Sequence, residues 1–426
     1  MLILHSIERS RDGRRLDYRY EARGPARRFF EGCQPFFAEY EDELEDCPDA
    51  IASVPFLANM LPIGWFGGFD VQVHPEVDAA FAAAQANLFE IYRDMYPHHR
   101  LRPSLRAFRT ASVSWSGSRD LLLFSGGVDS VAAAIDLAAV KIEPVMVRGG
   151  DIPGGDARAW KFRSRILREH PVLGGLRRHV VRSNLREFYT PLVQSLCLGW
   201  WGHVQHGPAG IGLLAPLAWA RGAARIHLSS STMRPWGSSK EGDESVRYGS
   251  AGGASADAGI PRATKFRRIV DWAAARGATD LPLSVCVHQG PNCGCCDKCL
   301  STLVLAVSIG VDPRRLGIPM DEDTYPGIFR SLAERSPTPL LLALWPPLRA
   351  AAADGLASGE FFVLSDRARE RGFLERIADG ELDRILGRWR FPFDRAGEQA
   401  FQYRWPRVYR GLSHLRRTLV GARSSS

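Results

Sequence analysis

The chain has 426 residues, 45% of them apolar and 24% charged, with a formal net charge of +8. These proportions suit a globular protein with a sizeable core, the length suggests roughly two to three domains, and no apolar stretch approaches the ~18 residues of a membrane helix, so no membrane partner is expected. The basic balance rests on 50 Arg against 5 Lys; it reads as base-composition bias, and without a Lys/Arg block interleaved with aromatics nucleic acid is not the expected partner.

In chain order, "MLILHSIERSRDGRR" puts its charges after a very short apolar run, the wrong order for a secretory signal, so a cytoplasmic protein is expected. Residues 1–115 read as an N-terminal α+β accessory domain. A short strand is expected around 18–23, an apolar and aromatic stretch covers 54–68, and helical periodicity covers 77–96. "PHHRLRPSLRAF" then suits a connection.

Residues 116–315 alternate. Strands are expected at 121–124, 143–150, 177–183, 224–231 and 281–288. Helices are expected at 131–140, 160–169, 210–221 and 263–277. This rhythm predicts an α/β domain with a five-stranded parallel sheet and crossover helices, whose ligands sit at the carboxyl ends of the strands. Residues 232–261, rich in Gly, Ser and charge, have no periodicity and read as a functional or disordered loop. Residues 316–426 read as a helical C-terminal region.

Between the first strand and first helix of the alternating part lies Ser125-Gly126-Gly127-Val128-Asp129-Ser130. Adjacent glycines allow torsions that other residues resist and let a ligand approach the main chain. Successive N–H groups at the positive end of a helix form an anion nest, to which Ser125 and Ser130 add hydroxyls. Asp129 does not favour a bare phosphate, so its expected task is Mg²⁺ or the orientation of a nucleophile. The run is neither a Walker loop nor G-x-G-x-x-G; the bland alternative is a tight turn of small residues.

This Ser-Gly-Gly-x-Asp-Ser run after an apolar strand closely resembles the signature of the PP-loop ATP pyrophosphatases. The resemblance implies a Rossmann-like (HUP) sheet of five parallel strands and cleavage of ATP between its α- and β-phosphates. A substrate oxygen takes AMP, and a nitrogen or sulfur nucleophile displaces it. By position, Ser125, Gly126, Gly127, Asp129 and Ser130 would bind the pyrophosphate portion, and Val145 and Val147 would lie near the adenine.

Eight cysteines include Cys286, Cys293, Cys295, Cys296 and Cys299 in one short stretch. Cys286, Cys293, Cys296 and Cys299 give C-x6-C-x2-C-x2-C. Cys296 and Cys299 stand at i,i+3 at the start of an apolar helix, and Gly294 permits the turn that brings Cys293 round. Four converging thiolates suit tetrahedral Zn²⁺, with Cys295 a bystander or a substitute ligand; an iron–sulfur cluster is the rival reading. The run Cys293-Gly294-Cys295-Cys296-Asp297-Lys298-Cys299 resembles the zinc site of QueC-like 7-cyano-7-deazaguanine synthases, and Pro235-Trp236-Gly237-Ser238 resembles a loop of that group. Thr302 stands where QueC has Arg. The resemblance covers the middle of the chain and hardly touches the flanks.

Other candidates are His206 and Gly207, at the expected start of a helix and near a phosphate or carboxylate, and the polar residues of 182–188, expected to face the crevice. Arg234, Trp236, Lys240 and Arg247 sit in the long loop, where they can close over ATP. Arg262 or Lys265 would steady the leaving pyrophosphate. The resemblance implies an AMP-forming C–N ligase using ATP, Mg²⁺ and structural Zn²⁺. It would adenylate a small-molecule carboxylate, with 7-carboxy-7-deazaguanine the first candidate, for attack by ammonia or an amine to give an amide or a nitrile. Alternatives are conjugation of a deazaguanine or other acyl group to a protein or metabolite amine, a tRNA thiolation enzyme with an iron–sulfur cluster, and a catalytically degenerate partner-binding scaffold. A homodimer is compatible with all of these.

Overall fold

The computed structural model describes residues 1–197, 200–229, 247–248, 251–255, 260–278, 280–286, 288, 290–334, 346–381, 384–385 and 408. Its strands are β1 (Leu2–Arg9), β2 (Arg15–Ala22), β3 (Phe37–Tyr40), β4 (Val71–Val73), β5 (Val77–Asp78), β6 (Leu105–Ala107) and β7 (Thr110–Ala111). They continue with β8 (Arg119–Leu123), β9 (Lys141–Arg148), β10 (His179–Ser183), β11 (Ala223–Leu228), β12 (Arg247–Tyr248) and β13 (Ala251–Ser255). One long, mostly parallel sheet runs β12-β13-β11-β8-β9-β10-β3-β2-β1-β4-β6, and β5 pairs with β7 separately. The fold is mixed α/β, and no described helix is long and apolar enough to cross a membrane.

Within the sheet β13, β11, β8, β9 and β10 are mutually parallel neighbours. The chain enters at β8, moves outward through β9 and β10, then returns to the other side of β8 for β11 and β13. The order therefore reverses between β8 and β11, the place where open α/β sheets bind ligands outside the carboxyl ends of their strands. In β8, Leu121 and Leu122 are buried and Leu123 is half-buried, as a parallel strand covered on both faces requires.

Two expectations about this sheet need correction. Residues 281–286 form no strand. Their amides are satisfied elsewhere: Leu281 and Leu283 N–H donate to the Arg315 and Leu316 carbonyls at 3.0 and 3.1 Å, and Ser284 N–H donates to Gly126 O at 2.7 Å. The fifth parallel position is filled by β13, inside the stretch expected to be a loop, with Ile226 opposite Gly253. Its sequence, AGGAS, has no β-branched or aromatic residue to signal a strand.

The sheet also does not stop at five strands. β3 pairs antiparallel with β10, Tyr40 opposite Val181, and continues through β2 to β1. The chain divides into two compact units, Met1–Ser125 with Asp129–Ile260, and Gly126–Val128 with Pro261–Ser426. In the first unit one core joins Tyr18, Phe36 and Phe56 to Leu121, Val145, Val181 and Ile226. The helix Val54–Gly67 is buried nearly all round, as a helix central to a core must be. It meets the helix His206–Leu213 so closely that a Cβ on Gly212 would lie 2.2 Å from the Ala58 Cβ.

Near the amino ends of β9 and β10 sits a buried charge cluster. His179 Nε2 lies 2.8 Å from Glu143 Oε2 and His179 Nδ1 2.9 Å from Asp42 Oδ2, while Arg221 Nε donates to Glu143 at 2.9 Å. Burial pushes the Glu143 carboxyl up, but the hydrogen bonds from Arg221 and His179 outweigh it and hold the group below its usual range.

In the second unit the helices Arg262–Ala274, Asp297–Ser308, Thr324–Glu334, Pro346–Ser358 and Arg367–Ala378 are described. A Cβ on Gly355 would lie 2.2 Å from the Ser308 carbonyl oxygen, so a glycine is needed for that approach. Tyr325 and Phe329 pack on Phe373 with ring centroids 4.4 and 5.7 Å away. The helical character expected after residue 316 is present among the described residues.

Candidate functional site

The turn Ser125–Ser130 leaves β8 at the carboxyl edge of the parallel strands, beside the reversal of strand order. The register of the strand end is set by Phe124 N–H, which donates to Val145 O at 2.9 Å. Gly126 then takes φ +74°, a left-handed conformation that a side chain resists. The chain closes on itself: Ser125 N–H donates to Ser130 Oγ at 3.3 Å, and the two serine hydroxyl oxygens lie 3.2 Å apart. Ser130 is buried, Ser125 exposed and Asp129 half-buried in the first turn of the helix Val128–Asp136. The turn thus leaves Ser125 exposed and Gly127 half-buried beside a helix start, an arrangement able to receive an anion.

Arg163 is a residue that sequence reasoning missed. It is 5% exposed, and its Nη1 donates to the Ser125 carbonyl. In the helix Ala157–Glu169 the buried residues are Ala159, Arg163, Ile166 and Leu167, so one arginine occupies the inner stripe, and the sequence does not single it out from the other arginines of that helix.

Val145 is buried and Val147 half-buried in β9, one strand away from the turn. Gly149 follows at φ +102°, and a Cβ there would lie 1.5 Å from the Ser183 carbonyl oxygen. The backbones after β9 and β10 therefore touch. Beyond them Trp201 Nε1 donates to Asp151 Oδ1 at 2.8 Å, His206 packs edge-on against Trp201 with centroids 5.4 Å apart, and the Arg186 guanidinium lies 5.3 Å from the Trp201 ring.

His206 and Gly207 do not sit at a helix start. A π-helical turn, Trp201–Gln205, runs directly into their helix, so their N–H groups are not the unsatisfied donors that an N-terminus offers. Within 182–188, Asn184 faces away from a crevice role. Its Oδ1 accepts from Phe37 N–H at 3.1 Å and its Nδ2 donates to Pro35 O at 2.9 Å, tying β10 to the approach of β3. Arg182 pairs with Glu39 at 3.3 Å.

Lys265 lies in the first two turns of the helix Arg262–Ala274 and is fully buried rather than on an exposed face. A lysine is buried this way only with partners for its charge. It belongs to the same compact unit as Gly126–Val128. Arg234, Trp236, Lys240 and the 235–238 run lie outside the described residues, and Arg247 is described only as backbone of β12.

The four expected cysteines converge. The sulfurs of Cys286, Cys293, Cys296 and Cys299 all lie within 4.8 Å of one another, with Cys293 to Cys299 and Cys286 to Cys296 both at 4.0 Å. Tetrahedral zinc with bonds of about 2.3 Å places its sulfurs roughly 3.8 Å apart, so the donor set fits one ion. Gly294, at φ +71°, turns the chain where a Cβ would lie 3.0 Å from the Pro319 carbonyl oxygen. Cys296 caps the helix Asp297–Ser308, and its N–H donates to Cys293 Sγ at 3.2 Å.

Hydrogen bonding to Cys296 and burial together push the Cys299 thiol far up, and burial raises Cys286. Thiols so placed lose their protons to a bound cation rather than to water. Cys295 is exposed, with its sulfur 3.5 Å from Cys293 Sγ. Thr302 is buried and its Oγ1 donates to the Lys298 carbonyl at 2.7 Å.

A second missed residue, Asn292, clamps this centre. Its Oδ1 accepts from the N–H groups of Val285 and Cys286 at 3.0 and 3.2 Å. Its Nδ2 donates to the carbonyls of Leu283 and Leu316 at 2.8 and 3.3 Å. Comparisons with protein-family models, curated proteins and solved structures find no match to this chain.

Proposed function

We propose that the protein is an AMP-forming C–N ligase of the PP-loop type, with a QueC-like four-cysteine zinc centre. The observation that carries this reading is the turn Ser125–Ser130, closed by its two serines and set beside the reversal of strand order in a parallel sheet. Ser125, Gly126, Gly127 and Ser130 would hold the β- and γ-phosphates of ATP, Asp129 would meet the Mg²⁺ that accompanies them, and Val147 would lie near the adenine. Lys265 is the candidate cation for the leaving pyrophosphate. His206 and Gly207, no longer at a helix start, keep only a place toward the acceptor.

A carboxylate oxygen of the substrate attacks the α-phosphorus, the α–β bond breaks, and pyrophosphate leaves. Ammonia or an amine then attacks the acyl carbon, and AMP leaves with the electrons of the acyl–oxygen bond. A nitrile requires a second round on the amide. Cys286, Cys293, Cys296 and Cys299 would hold the zinc with all four of its positions, and it would then serve to hold the second unit's fold.

Release of AMP and pyrophosphate from ATP, measured across a panel of carboxylates beginning with 7-carboxy-7-deazaguanine, tests the reading. ADP and phosphate as the only products refute it. The exposed Cys295 beside Cys293 favours a second reading, sulfur transfer to tRNA. Metal analysis under anaerobic conditions separates the two: one zinc per chain supports ligation, and iron with acid-labile sulfide supports sulfur transfer.

A further inference from the structure

We infer that Arg163 is the positioning residue of the phosphate seat: its buried guanidinium, bonded to the Ser125 carbonyl, fixes the orientation of the Gly126 N–H, a backbone donor of the loop. This rests on the ATP reading of Ser125–Ser130.

The helix Ala157–Glu169 begins at Asp156, whose Oδ1 accepts from Ala159 N–H at 2.9 Å. That cap fixes which face turns inward. Ala159, Arg163, Ile166 and Leu167 make the inner stripe, while Arg158, Arg165 and Arg168 are exposed. Arg165 pairs with Glu169 at 2.7 Å, as a surface arginine does. An arginine among apolar positions costs stability unless its donors are used. Arg163 spends Nη1 on the carbonyl of Ser125, the first residue of the loop.

The carbonyl of Ser125 and the N–H of Gly126 belong to one planar trans peptide, so they point in opposite directions. Pinning the carbonyl to Arg163 therefore aims the Gly126 N–H the other way and holds it there before any ligand arrives. Gly126 at φ +74° then lets the next peptide turn back. The sequence Ser-Gly-Gly-Val-Asp-Ser contains an acid and no base. The guanidinium at its root places a positive charge beside the Ser125 carbonyl, which favours a polyanion at the seat. Neither effect concerns the adenine end, and this separates the role from general support of the fold.

Calorimetric titration of the full chain with two probes, magnesium pyrophosphate and adenosine, tests the assignment. Arg163→Met is expected to lose pyrophosphate affinity by about 30-fold with adenosine affinity unchanged. Arg163→Lys, which keeps the charge but not the planar fork, is expected to lose about 5-fold, again with adenosine unchanged; if the Met variant does not fold, this variant decides. Parallel loss of both probes, or unchanged pyrophosphate affinity in a folded variant, overturns the inference while leaving the ATP reading in place. A native protein that binds neither probe overturns both.

Discussion

Replacing Asn292 by Ala tests whether one amide side chain organises the cysteine centre. The side chain is buried and makes four hydrogen bonds to backbone groups. Truncation orphans the Val285 and Cys286 N–H groups, at about 1–3 kcal/mol each, and removes one partner from each of two carbonyls, at about 0.5–1 kcal/mol each. The sum is about 3–8 kcal/mol, large for a single substitution. Because Cys286 N–H is one of the orphaned donors, the loss reaches a ligand directly, and metal affinity should fall about 10–100-fold, as when an outer-shell partner is removed. Asn292→Asp keeps the accepting oxygen but sets a carboxylate oxygen against the two carbonyls, so at neutral pH it should be no more stable than Ala. Thermal unfolding with metal bound, together with zinc competition against a chromophoric chelator, measures both quantities. An Ala variant within 0.5 kcal/mol and twofold of the native protein would refute the reasoning.

Other expectations are equally specific. Glu143→Gln should destabilise the protein by about 3 kcal/mol at neutral pH, because it leaves Arg221 and His179 short of a buried partner. Since the folded Glu143 carboxyl lies below its unfolded value near 4.5, its contribution is present above that pH and lost as pH falls through the folded value. The acid limb of urea-midpoint curves should therefore be shallower in the variant, and identical limbs would count against this. Gly149→Ala places a Cβ 1.5 Å from the Ser183 carbonyl oxygen at φ +102°; a loss of more than about 3 kcal/mol is expected in chemical denaturation. Asp129→Asn should lower AMP formation at least about 100-fold, while the half-buried, near-isosteric change leaves the melting temperature within a few degrees. Equal loss of activity and stability would mean that Asp129 serves the fold.

Several features were legible because they depend on short stretches of chain. The helix expected over 77–96 is Ala79–Met95, and the one expected over 160–169 is Ala157–Glu169. Strands expected at 121–124 and 143–150 are β8 and β9 within a residue or two. The four-cysteine convergence followed from spacing and a glycine turn. What was hidden lay in partners distant along the chain. Residues 281–286 look like a strand, but their donors meet Asn292, Gly126 and the 315–316 carbonyls. AGGAS looks like a loop and lies beside β11.

By itself the sequence determined the serine–glycine turn between a buried strand and a helix, the cysteine set, and the alternation that makes the middle of the chain α/β. Turn chemistry, i,i+3 spacing and 3.6-residue periodicity act between near neighbours, so the residues themselves declare them. Only the tertiary structure decided that the first hundred residues extend the same sheet and share its core, that a glycine-rich segment takes the fifth parallel place, and that Arg163 rather than Arg158, Arg165 or Arg168 turns inward to the seat. An extended segment finds its hydrogen-bond partners, and a helix its buried face, across the whole chain, and composition along one short stretch carries no record of that choice.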